Sequence, residues 1–284
     1  MVVLLVALCA PGVAVASDLA DAAQRRDFVA VDRLLTGGVD VDAPQADGTT
    51  ALAWASHWDD LDTVRRLVAA GADVNRATDL GVTPLMLAAV NGSVSVVDAL
   101  ITAGADPSAT RETGDTALML AVRSGSTPAA RLLLNGGADL NAATAGGQTA
   151  LMWAAAERHL AVARMLVERG ADVQARTRVD AREGRPGGIV REARVLSEFE
   201  AVNPAGLPRD GDGDPPRPEG GFTPLLYAIL VGHQDGVDLL LDAGADVNDR
   251  APDGVTALML ALTKRHEAMA LDLLERGADP APAE

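Results

Sequence analysis

The chain has 284 residues, 48% of them hydrophobic but only 2% aromatic, with a formal net charge of −16. That length supports a sizeable core in one or two domains, and a core almost without rings must be filled by Ala, Leu, Val and Met, which suits closely packed helices better than a β-sandwich. The acidic excess keeps the chain soluble and argues against a general nucleic-acid or anionic-lipid binder.

The N-terminal run MVVLLVALCAPGVAVAS ends in Ala14-Val15-Ala16 and reads as a secretory apolar region with a small-residue cleavage site before Ser17. It is short for a transmembrane helix, and no Lys or Arg precedes it. Residues 1–16 are therefore expected to be a signal peptide of atypical form, which places the mature chain in the periplasm or outside the cell, with no membrane insertion after cleavage. The single cysteine, Cys9, lies inside this run, and Leu8 before it is too large for a lipoprotein signal. Disulfides, thiol catalysis and Cys-based zinc sites are thus not expected in the mature chain.

From residue 18 onward one phrase recurs. A threonine opening T-x-L occurs at Thr50, Thr83, Thr116, Thr149, Thr223 and Thr256, at steps of 33, 33, 33, 74 and 33. A glycine precedes each threonine by two positions and another follows it by 21, always continued by Ala-Asp. Such a period is the mark of stacked units. The threonine is a helix N-cap, and Pro84 and Pro224 follow it at the first helical position. A first helix of about nine residues is expected, then a second such as SVVDALITAG (95–104), closed by a glycine in a left-handed conformation. The units read 18–46, 47–79, 80–112, 113–145, 146–178, 220–252 and 253–284, the first matching only the helical part.

G-x-T-P-L-x-x-A-A followed by L-L-x-x-G-A-D-V-N resembles the ankyrin repeat. The resemblance covers residues 18–284 apart from one insertion. It implies an all-α solenoid with short β-hairpin-like turns, and a protein partner bound on the concave side. Where that family has His three residues after the threonine, this chain has Ala53, Met86, Met119, Met152, Leu226 and Met259. These are read as core, with flexible thioethers filling the gap. The next column, Trp54, Leu87, Leu120, Trp153, Tyr227 and Leu260, is also read as mainly core.

The insertion, 179–219, falls in a turn between two units. Ile189, Ala193, Leu196 and Phe199 recur at helical spacing, so a short helix over 189–202 is expected. Asp210, Asp212 and Asp214 echo the start of a calcium loop, but Pro215 and Gly221 stand where that loop needs Gly and Glu. A calcium- or ligand-regulated insertion is the alternative reading, and an enzyme with its chemistry there is a third.

Catalytic signatures are otherwise missing from the pattern. His159, His233 and His266 each stand ten residues after a threonine and open a second helix, which is a structural position. There is no G-x-S-x-G, H-E-x-x-H or phosphate-binding glycine loop. The reading is a non-enzymatic bacterial binding protein, monomeric and without cofactor. Candidate partner-binding residues, at variable positions of the units, are His57, Trp58, Val82, Val90, Asn91, Asp115, Arg123, Gln148, Glu157, Phe222, Leu230 and Val231. Trp58 is the expected anchor, since a solvent-facing tryptophan has no packing duty and aromatic anchors dominate interfaces.

Overall fold

The computed structural model describes residues 18–178, 221–251 and 254–280. The proposed signal peptide, the 189–202 helix and the Asp210–Asp214 acidic stretch lie outside the described residues. The described chain is a row of helix pairs: α1 (Asp18–Gln24), α2 (Phe28–Thr36), α3 (Ala51–His57), α4 (Leu61–Ala69), α5 (Pro84–Val90), α6 (Val94–Thr102) and α7 (Ala117–Arg123). It continues with α8 (Thr127–Asn135), α9 (Ala150–Ala156), α10 (Leu160–Glu168), α11 (Pro224–Leu230), α12 (Gln234–Asp242), α13 (Ala257–Thr263) and α14 (Glu267–Glu275). The odd-numbered helices pack side by side as one layer. The even-numbered ones form the second layer behind them.

Each threonine does what its chemistry suggests. The Thr50, Thr83, Thr116, Thr149, Thr223 and Thr256 hydroxyls accept from the amide three residues on, at 3.2–3.4 Å. The first helices are shorter than expected, ending seven residues after the threonine rather than nine. The chain turns there through a residue with positive φ, nine positions after the threonine, which breaks the helix. That residue is Gly92, Gly125 or Gly232 in three units and Asp59, Arg158 or Arg265 in three more; Arg26 holds the same place in the first unit, which has Ser17 where the others have threonine, and these four have φ of 56–62°. Second helices are capped by Asp27, Asp60, Ser93 and Ser126 side chains. His159, His233 and His266 give no such cap to their own helices. Instead the His159 ring bonds the Arg123 carbonyl one unit back at 3.1 Å, and His233 bonds that of Ala155.

Asp73, Asp106, Asp139, Asp172 and Asp246 of the G-A-D phrase are tied into their turns by accepting an amide two residues on, as Asp73 does from Asn75 at 2.9 Å. The residue at that second position often reaches the neighbouring unit: Asn75, Asn141 and Asn248 each accept the Asp amide of the next turn. These carboxylates therefore belong to the scaffold. Between units the chain forms fingers with isolated bridges, Thr110 to Thr116, Ala143 to Thr149 and Arg250 to Thr256. Successive fingers join edge to edge, with Ala145 N donating to Thr113 O at 2.8 Å. Gly114, at φ +84°, is required there: a Cβ would stand 2.9 Å from the Thr144 Cα of the next finger.

The insertion does not interrupt this pattern. Thr144 N donates to Gln148 O across an ordinary finger, and Thr177 N donates to Phe222 O across the insertion at 3.0 Å. Arg176 clamps the same place, donating to the Gly221 and Arg250 carbonyls and pairing with buried Asp249. The units on either side stack directly, α9 on α11 and α10 on α12.

The core is one continuous column of Leu, Ala, Val and Met. Met86, Met119 and Met152 are fully buried, as read from the sequence. Met259 is not: it is 42% exposed, together with Leu262, Leu271 and Leu274, because no described unit stacks on that side of α13 and α14.

Candidate protein-binding face

The side that the resemblance reads as concave comprises the fingers and the exposed edge of the first helices. Its twelve sequence-expected residues fall into three groups. Val82, Asp115 and His57 are buried and are corrected as direct contact residues. Val82 and Asp115 precede the capping threonine, where the finger doubles back and folds the side chain between neighbours. Asp115, fully buried, pairs with Arg111 at 2.7 Å and accepts from the Thr113 hydroxyl. His57 packs edge-on against Trp54 and Trp58, with ring centroids at 5.7 and 4.7 Å. Burial pushes its pKa below the usual imidazole value.

Trp58 is also corrected: it has a packing duty. Its ring stacks on Trp54 at 6.2 Å and 20°, and the Arg26 guanidinium sits 5.7 Å over its centroid. The residue is half-buried, and its indole N–H is enclosed with no partner among the described residues. Replacing it with Ala is expected to lower unfolding stability by about 1–2 kcal/mol, from the apolar area lost. A variant as stable as wild type in urea would show that the ring is a free surface group.

The remaining eight residues stay on or near the surface. Asn91 and Glu157 are exposed, although the Asn91 amide also donates to the His57 carbonyl. Val90, Arg123, Gln148, Phe222, Leu230 and Val231 are half-buried. Three of these meet aromatic rings that the sequence reading had placed in the core. Arg123 lies 4.6 Å over the half-buried Trp153 ring. Phe222 meets Tyr227 at 5.7 Å. Gln148 bonds the Tyr227 hydroxyl, whose pKa is raised chiefly by burial and drawn back by this bond.

Arg158 and Arg265 are residues the sequence reading missed. Their signal was present, since each stands where three other units have glycine. The result is an apolar and aromatic strip along α9 and α11, bordered below by cations. Among the described residues no group of three His, Cys, Asp or Glu side chains could hold a metal ion. Among the same residues no helix is long and apolar enough to cross a membrane.

Buried histidines behind this face give a pH dependence. Burial lowers the His233 pKa; neighbouring Arg158 and His159 lower it further, while Asp235 and the Ala155 carbonyl oppose them. A histidine with a depressed folded-state pKa resists protonation in the native state. Its stability contribution is full above the unfolded value of about 6.5 and is lost as pH falls below that, towards the folded value. Urea midpoints are expected to fall between pH 7 and pH 5, and less steeply in His233→Gln. An equal slope in both proteins would remove His233 as the cause.

A family model of ankyrin repeats matches residues 19–111, 95–177 and 207–283. A putative ankyrin repeat-containing protein of Treponema pallidum (strain Nichols) is 37% identical over 59 residues, which are 21% of this chain. That match spans only 20% of the relative's length. Among solved structures, the crystal structure of the human ASB11 ankyrin repeat domain is similar in fold, with a TM-score of 0.69 at 24% identity. The match covers 93% of this chain and 99% of that one.

Proposed function

This chain belongs to the ankyrin-repeat family, and on that premise we propose that it is an exported, non-enzymatic interaction module that holds a protein partner on its concave face. The observation that carries the reading is the strip of half-buried Trp153, Phe222, Leu230 and Val231. Such aromatic and aliphatic groups in a shallow concave surface, rimmed by polar residues, are what interface centres are made of. Export rests on the sequence alone, on the apolar run ending Ala14-Val15-Ala16.

The test is affinity capture from envelope and medium, using the wild-type chain, Leu230→Glu/Val231→Glu, and Arg164→Glu on the outer helix α10 as a control. A partner held by wild type and Arg164→Glu but lost by the double variant supports the reading. Loss with Arg164→Glu alone would move recognition to the convex side. A partner lost only when 179–219 is deleted would move it to the insertion.

A further inference from the structure

We propose that the C-terminal half of the concave face recognises an acidic, amphipathic segment of another protein. The inference rests on the concave-face reading above and adds the chemistry of the partner. Two features of that half point the same way. Its floor is the apolar strip of Trp153, Phe222, Leu230 and Val231, all half-buried. Its lower edge, where the last four first-helices end, carries Arg123, Arg158, Lys264 and Arg265, against the single carboxylate of Glu157. A cationic edge is unexpected on a chain whose net charge is −16.

Among the described residues these cations form no ion pair. The ion pairs among the described residues involve Arg66, Arg111, Arg176 and Arg276, none of them on this edge. Arg123 instead lies over the Trp153 ring. Two of the four also sit where the backbone disfavours them. Arg158 and Arg265 have φ of 60° and 62°, in the position that Gly125 and Gly232 fill at 73° and 67° in the units that precede them. A side chain bearing Cβ is strained in that conformation.

The chemistry follows. Guanidinium groups pair with carboxylates through two parallel hydrogen bonds. Complementary charge steers the encounter and sets register, while the apolar floor supplies the desolvated contact. A basic segment is repelled by this edge. A polyanion without apolar side chains, nucleic acid included, leaves the floor uncovered.

The test uses the full chain and four fluorescent probes of equal length, read by anisotropy at low salt. The probes are a peptide alternating Glu with Leu and Phe at helical spacing, its Lys counterpart, a Glu–Ser peptide, and single-stranded DNA. The Glu–Leu–Phe peptide is expected to bind about tenfold or more tightly than the other three, and to weaken as salt rises. Arg158→Gly/Arg265→Gly removes two cations and relieves the strain. It is expected to keep or raise Tm while weakening that peptide about tenfold. Arg158→Glu/Lys264→Glu should weaken it further.

Equal binding of the Lys peptide or of DNA would overturn the proposal, as would an affinity untouched by the glycine pair. Binding seen only after deletion of 179–219 would assign the face to the chain's own insertion and overturn it too. So would self-association that the charge reversals abolish, which would make the occupant a second copy. A captured partner that needs Leu230 and Val231 but ignores the charge variants would leave the concave-face reading standing and sink this one.

Discussion

Leu151→Ala is expected to destabilise the chain by about 2–5 kcal/mol in urea unfolding, the usual range for a truncated buried leucine. Leu151 is 1% exposed, on α9 in the middle of the column, and α9 packs on α7 and α11 as well as on its own partner α10. The helices are short, and closely packed interiors refill a void only in part. The effect should spread to the neighbours, because a stacked array draws much of its stability from the interfaces between units. Both α7 and α11 would lose a surface they pack against. A loss below about 1 kcal/mol would contradict the register, since no buried leucine in a packed column behaves that way.

The second large effect concerns the Arg111–Asp115 pair. Its side chains are 4% and 1% exposed, so both charges have left water. Arg111→Met should cost about 3–5 kcal/mol, because Asp115 is then left buried without its counter-charge. The double variant Arg111→Met/Asp115→Leu should recover much of that loss, since apolar replacements of a buried pair are often neutral. A double variant as unstable as the sum of the singles would show that the two residues act independently. The pair sits in the finger whose neighbour Gly114 packs on Thr144, so its loss should also loosen the contact to the next finger.

The sequence period was a reliable guide wherever a contact repeats in every unit. The capping threonines, the glycines after the second helices and the buried Met86, Met119 and Met152 were all legible because each unit restates them. Contacts formed between different positions of different units were not legible. Trp58 reads as exposed, yet Arg26 from the unit before joins Trp54 and His57 of its own unit in packing on the ring. Asp115 reads as one of twelve variable candidates, yet its fate is set by an arginine four positions earlier, across the finger.

Chain ends break the pattern for a related reason. Met259 occupies the same position as Met152, but it keeps 42% of its surface because it lacks a described neighbour on one side. The sequence reading put the insertion in a turn. What the sequence could not show is that Thr177 and Phe222 close the finger beneath it, with the spacing of the uninterrupted fingers. Arg158 and Arg265 were overlooked because a helix-ending position draws attention only when it carries glycine.

Hydrogen exchange of the chain, alone and with its captured partner, tests the central claim most directly. New protection is expected along residues 150–158 and 222–231, with the outer helices α4, α6, α8 and α10 unchanged. Protection confined to those outer helices, or to residues 179–219, would contradict it.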